Sequence, residues 1–191
     1  MSTLVIVLRI VSLLAFAGPM LLEITGRCGG PRTRVRRSGS DRAPLAANLA
    51  AFGLYVPSLL VLSASPAGST ALLLASSGSV LAVAGAALVL RSRAALGPAW
   101  SFVPKADQAT GLITTGPYRL VRHPIYLGFA LLAMGQALAF GSWPALMIVL
   151  SAIVPTFAWR ARAEARLLSR TFGERYAVYR QRTRMIIPYL L

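Results

Sequence analysis

Residues 116–128 read Gly-Pro-Tyr-Arg-Leu-Val-Arg-His-Pro-Ile-Tyr-Leu-Gly and gather two prolines, two tyrosines, two arginines and the chain's single histidine. This polar stretch runs directly into an apolar segment. Imidazole, guanidinium and phenol groups at the mouth of a hydrophobic helix are unfavourable without partners, so they suit a place where something binds. Pro124 fits the first turn of a helix and leaves free N–H groups near His123, Ile125 and Tyr126 for an anionic group such as a carboxylate. Two readings of His123 stand at this point. It is an interfacial histidine bonded to a backbone carbonyl, or it is a ligand contact at the cytoplasmic mouth of a bundle.

Arg160 and Glu164 are the second constellation. At i and i+4 of one helix they face the same way. They read either as a surface ion pair of small energetic weight or as part of a site, in which the carboxylate accepts hydrogen bonds from a ligand and the guanidinium holds an anion. Glu164 is one of five acids in the chain and sits near the end of an apolar segment. Tyr118, Tyr126, Tyr176 and Tyr179 either line a pocket or form an interfacial aromatic belt. No glycine-rich phosphate loop and no Ser-His-Asp arrangement is present. With Cys28 alone and one histidine, neither a disulfide framework nor a zinc or haem site is expected, and Cys28 reads as an ordinary loop residue.

The elements that must position these groups are apolar. Of 191 residues 56% are hydrophobic and 13% charged, about half the charged share of a soluble domain. The 20 basic residues against 5 acidic ones give a net charge of +15. Nucleic-acid binding would place such charge on a polar surface, but here the arginines fall in blocks between apolar runs. Five such runs are legible, at residues 4–22, 45–63, 71–90, 125–140 and 142–159. A spanning helix needs about 17–25 residues, so the fourth run is short unless its helix starts at Arg122. The first run reads as an uncleaved helix rather than a signal peptide, because no side-chain positive charge precedes it.

The loops set an orientation. Six arginines lie between the first and second runs, five cations between the third and fourth, and eight arginines from Arg160 onward, while the other two loops carry none. Alternation of this kind places the N-terminus outside and the basic loops, the motif and the C-terminal tail in the cytoplasm. The expected fold class is therefore all-α. It is a single-domain, integral-membrane bundle of five transmembrane helices with a cytoplasmic C-terminal helical region, and it divides into residues 1–63 and a core at residues 70–191. The basic loop at residues 25–42 is expected to lie near anionic headgroups. Pro98 is expected to end the third helix and Trp100 to anchor at the interface. The tail reads as a helix from Arg160 with Gly173 as its stop, then a second helix at residues 174–182 with Tyr176 and Tyr179 on one side and Pro188 as its limit. The abundance of Ala, Leu and Arg suggests a prokaryotic plasma-membrane protein.

The ordered set Leu96-Gly97-Pro98-Ala99-Trp100-Ser101, Gly116-Pro117-Tyr118, Arg122-His123-Pro124-Ile125-Tyr126-Leu127-Gly128, Arg160 with Glu164, and Phe172-Gly173-Glu174-Arg175-Tyr176 resembles the isoprenylcysteine carboxyl methyltransferase family, an integral-membrane group related to the phospholipid methyltransferases. The resemblance covers about residues 91–188. It implies a methyltransferase dependent on S-adenosyl-L-methionine, acting at the membrane on a lipophilic, carboxylate-bearing isoprenoid or lipid. Carried over by position, the implied cofactor contacts are Thr110, Gly111, Leu112 and Ile113 (partly through backbone), Tyr118, His123, Pro124, Ile125, Tyr126 and Glu164. Arg160 matches the arginine on the substrate side and is the implied catalytic and substrate-binding residue. The acceptor would enter from the lipid between helices and the cofactor from the cytoplasm. The implied partners are that lipophilic substrate and membrane lipids, with no nucleic acid and no metal. The family often has two consecutive acids in the tail helix; here Glu164 is followed by Ala165. Sterol-reductase-like membrane proteins share the Arg-His-Pro motif, so a membrane reductase using NADPH is one alternative and a non-catalytic small transporter or assembly protein another. The Phe-Gly-Glu-Arg-Tyr element favours the methyltransferase.

Overall fold

A computed structural model describes residues 3–24, 42–63, 68–97 and 111–186. Among these residues the regular structure is helical, with no strand. In order come α1 (Thr3–Ile24), α2 (Arg42–Val61), α3 (Gly68–Leu96), a 3-10 turn (Gly116–Arg119), α4 (Pro124–Phe140), α5 (Trp143–Ile148), a π turn (Val149–Ile153), α6 (Val154–Phe172) and α7 (Glu174–Arg182). Three helical stretches are long and apolar enough to cross a membrane, namely Ala43–Val61, Gly68–Leu96 and Trp143–Phe172. Thr3–Gly18 and Pro124–Phe140 are shorter apolar helices. Helix α4 begins at Pro124 rather than at Arg122, because the chain at residues 121–123 is engaged elsewhere (below), and its 17 residues sit at the short limit for a span. The fifth apolar run and the first tail helix are one continuous stretch, α5–π–α6.

Helix α4 is the centre of the bundle. It packs along α3 through glycines that admit no side chain. A Cβ on Gly78 would come within 2.4 Å of the Ala139 nitrogen, one on Gly85 within 2.6 Å of the Gly128 carbonyl, and one on Gly135 within 2.4 Å of the Ala82 nitrogen. The pairs run in opposite directions along the two helices, so α3 and α4 are antiparallel. Lipid tails give apolar helices no reason to associate by exclusion from water, and close backbone approach over small residues supplies the dispersion contact instead. On the other side α4 meets α2 and the α5–α6 stretch in a core of Tyr55, Leu59, Tyr126, Ala130, Ala133, Val149, Ile153 and Phe157. The outward faces carry exposed Leu54, Leu73 and Val80, as a lipid-facing surface would.

Several polar groups within the bundle are partnered. The Tyr55 hydroxyl shares its one hydrogen between the Ala133 carbonyl at 2.9 Å and Gln136 Oε1 at 3.1 Å, and Gln136 donates to the Ser12 carbonyl at 3.3 Å. Arg9, the cation that belongs to no basic loop, donates from Nε to the Ala139 carbonyl at 3.0 Å and lies over the Phe140 ring at 5.3 Å. It thereby serves the last carbonyls of α4, which have no helical donor.

Gly173 stops α6 as expected, at φ 52° and ψ −122°, a conformation costly for any residue with a Cβ. Helix α7 then runs back with Tyr176 and Tyr179 both buried, on the one side expected. It ends at Arg182, as expected, where Thr183 turns extended to join the motif. The loop at residues 25–41, Cys28, Pro98, Trp100 and Pro188 lie outside the described residues.

Candidate functional site

The motif sits in a short connection between a 3-10 turn and α4. Gly116 and Pro117 open the turn, which buries Tyr118. Residues 121–123 then run alongside the chain that follows α7. Val121 and Arg184 form an isolated parallel bridge. The Arg122 N–H donates to the Arg184 carbonyl at 2.8 Å, the His123 N–H to the Met185 carbonyl at 3.0 Å, and the Arg184 N–H to the Leu120 carbonyl at 3.3 Å. Arg122 adds a side-chain clasp: Nη1 donates to the Arg180 carbonyl at 3.0 Å and to the Thr183 carbonyl. Burial lowers the Arg122 pKa, and its neighbours Arg180 and Arg184 act in the same direction. Tyr179 donates to the Tyr118 carbonyl at 2.8 Å. The C-terminal segment is therefore bound to the motif backbone at both edges.

This arrangement changes the expectation for the α4 N-terminus. Of the free N–H groups expected there, the one on His123 is taken by Met185, so the helix end offers less to an anion than the sequence suggests. The interfacial reading of His123 is also corrected. Among the described residues its side chain bonds no backbone carbonyl; Nδ1 lies 3.2 Å from Glu164 Oε2. His123 is 5% exposed, and its Nε2 is buried without a hydrogen-bond partner among the described residues.

Glu164 gathers the site. The Tyr126 hydroxyl donates to its Oε1. The Tyr126 ring stacks with His123 at 5.7 Å and 19°, and with Phe157 at 5.2 Å and 18°. Arg160 is buried rather than on the surface, and its guanidinium carbon lies 5.5 Å from the Tyr126 ring centroid. Burial pushes the Tyr118 phenol well above its usual pKa, with the charges of Glu164 and Tyr179 adding to the rise. Tyr176 shifts the same way, mainly by burial. Both phenols therefore stay neutral. At 22% side-chain exposure, Glu164 keeps an open edge.

Five of the expected residues thus converge: Tyr118, His123, Tyr126, Arg160 and Glu164. Pro124 and Ile125 form the first turn of α4 beside them. Gly111, Leu112 and Ile113 are half-buried in the coil before the 3-10 turn, and no hydrogen bond among the described residues ties them to the cluster. Thr110 lies outside the described residues. Phe157 was not foreseen, although 157, 160, 161 and 164 repeat at i, i+3, i+4 and i+7, the spacing of one helix face. The Arg122 clasp and the pairing with residues 184–185 had no local signal. Among the described residues no group of three His, Cys, Asp or Glu side chains is placed to hold a metal.

The sequence profile of the phospholipid methyltransferase family matches residues 73–175, just over half of the chain. The chain belongs to this family. The match takes in the seam of α3 and α4, the motif, Arg160, Glu164 and the Gly173 stop. The chain is 32% identical over 79 residues to the protein-S-isoprenylcysteine O-methyltransferase of Schizosaccharomyces pombe, covering 41% of this chain and 34% of that protein. It is 31% identical over 85 residues to the protein-S-isoprenylcysteine O-methyltransferase A of Arabidopsis thaliana, covering 44% and 43%. The matched stretch therefore spans less than half the length of these curated relatives. Among solved structures, the eukaryotic intramembrane Ras methyltransferase (isoprenylcysteine carboxyl methyltransferase) shares the fold, with a TM-score of 0.60 at 17% identity over 93% of this chain and 63% of that one. Three long apolar helices on this intramembrane fold make the family member an integral membrane protein.

Proposed function

We propose that this protein is a membrane methyltransferase that uses S-adenosyl-L-methionine to methylate a lipophilic, carboxylate-bearing acceptor such as an isoprenoid or lipid acid. The observation that carries the reading is the convergence of His123, Tyr126 and Glu164 at the start of α4, with Arg160 over the same tyrosine. The relatives are named for O-methylation of isoprenylcysteine, which supports methyl transfer rather than a reductase or a transporter. In the same reading α1 and α4 complete a set of five spans, with the N-terminus outside and the site on the cytoplasmic side.

The residues present fit the cofactor. Glu164 retains an exposed edge for amino or hydroxyl groups, and His123 presents a buried Nε2 that has no partner among the described residues. When Nδ1 carries the hydrogen toward Glu164, Nε2 offers a lone pair to a donor. The neighbouring aromatic faces suit a positively charged ligand. The cofactor supplies an electrophilic methyl group. The chain's own work is to bind, orient and exclude water, which together can account for several kcal/mol of barrier. Glu164 fixes His123 and Tyr126 in place through its two oxygens. Arg160 holds the acceptor carboxylate, which is ionised at neutral pH and needs no base.

The test is methyl transfer from radiolabelled S-adenosylmethionine to a farnesylated cysteine analogue and to isoprenoid acids, using detergent-purified protein. Label appearing as a base-labile ester supports the reading; no transfer to any carboxylate acceptor by a protein that binds the cofactor removes the acceptor class.

A further inference from the structure

The stretch from Trp143 to Phe172 is one helix interrupted by a π turn at Val149–Ile153. Its buried positions are Ala145, Val149, Ile153, Phe157, Arg160 and Ala161. From Ala145 to Ala161 the apolar ones recur every four residues. In an uninterrupted α-helix each residue turns about 100°, so each four-residue step drifts about 40° and Ala161 would end about 160° away from Ala145. Ala145 and Val149 would then face one neighbour, while Phe157, Arg160, Ala161 and Glu164 pointed about a quarter-turn aside. A π turn absorbs one extra residue, removing about 100° of rotation. That is the offset needed to bring both halves onto one face.

The observed contacts need that correction. On the near side of the turn, Ser142 caps α5 and bonds the Ser58 carbonyl at 3.0 Å, while Ala145 and Val149 join the core with α2 and α4. On the far side, Phe157 meets Tyr126, Phe129 and Phe52, and Glu164 meets Tyr126 and His123. Pro155 gives a local cause. It has no N–H for the carbonyl of Ser151, and its ring crowds that carbonyl, so a regular turn ending there is unfavourable.

We propose that the π turn at Val149–Ile153 is a register device that positions Phe157, Arg160 and Glu164 on the site, the extra residue being required for binding there and not for the helix itself. This rests on the reading of the Glu164 cluster as the cofactor site, but the register can be tested apart from it. In a Cys28→Ser background, Phe129→Cys and Phe157→Cys sit where the two rings are 6.5 Å apart and should be joined by a short bis-maleimide. Deleting Ser151, an exposed residue, should cut that cross-link at least tenfold. Ser151→Ala should leave it unchanged, and one alanine inserted between Met147 and Ile148 of the deletion protein should restore it. S-adenosylhomocysteine binding, measured on the same changes without the cysteines, should follow the same order. Undiminished cross-linking in the deletion protein overturns the proposal, as does failure of the insertion to restore it. If the deletion protein does not fold, the double variant decides alone: restored cross-linking supports the proposal and its absence overturns it. A wild-type protein that cross-links as described yet binds no S-adenosylhomocysteine leaves the register standing and removes the cofactor reading.

Discussion

Tyr126 and Glu164 stand 38 residues apart in the chain, and the tyrosine hydroxyl donates to Oε1 of the carboxylate. The other oxygen faces His123, so one carboxylate locks two side chains from the start of α4 against α6. Glu164→Gln keeps the shape but removes the charge. Hydrogen bonds to charged groups contribute about 1.5–3 kcal/mol, so S-adenosylhomocysteine affinity should fall roughly ten- to a hundredfold. Tyr126→Phe loses one of the two bonds and should weaken binding by roughly fivefold. Calorimetric titration of both variants checks the order, which would be reversed if Tyr126 alone formed the contact.

The strap formed by Arg122 and the residues after α7 should matter more to the site than to the fold. Its bonds reach the backbone of Arg180, Thr183, Arg184 and Met185, and the packing of Met185 and Ile186 against the core does not use the Arg122 side chain. Arg122→Ala is expected to leave the thermal midpoint within a few degrees while weakening cofactor binding at least tenfold, because His123 loses its backbone support. Arg122→Lys should recover only part of it, since a flexible ammonium does not hold two coplanar N–H groups on the two carbonyls as Nη1 does. A melt and a titration on the same samples separate the two effects.

The glycine seam makes a contrasting prediction. Gly135→Ala would force α4 away from the Ala82 backbone, where no flexible side chain can yield. Overpacking of this kind costs about 1–3 kcal/mol or more, so the variant should melt well below the parent in detergent. Gly53→Ala, whose Cβ would meet nothing within 4 Å, should melt as the parent does. Equal midpoints for the two would show that the seam is not close-packed.

Arg9→Leu should also destabilise, by about 1–3 kcal/mol, since the Ala139 carbonyl at the end of α4 loses its donor. Arg9→Lys should retain part of that. Neither change lies near Glu164, so cofactor affinity per folded molecule should be unaffected.

Much of this was legible in the sequence, and the exceptions share a cause. Hydrophobic runs locate α1 to α3 within a few residues because lipid demands continuous apolar helices. Gly173 and the paired tyrosines of α7 follow from local rules. The grouping of Tyr118, His123, Tyr126, Arg160 and Glu164 came from motif resemblance, and the structure brings these five together. What stayed hidden is non-local. The bounds of α4 at Pro124 and of α7 at Arg182 follow from local rules, but the pairing of residues 121–123 with 184–185 that joins them is reported by no periodicity. Arg9 looked like a stray charge because its partners are carbonyls of a distant helix. The π turn was hidden because four-residue spacing reads as ordinary helix until its drift is followed across four turns.

The central claim is that the Glu164 cluster binds the methyl donor. The most direct measurement is binding of S-adenosylhomocysteine and S-adenosylmethionine to detergent-purified wild-type protein, with Glu164→Ala alongside and both shown to be folded. Micromolar binding by the wild type that is lost in the variant is the predicted result. A well-folded wild type that binds neither ligand, or a variant that binds as tightly as the wild type, would contradict the account.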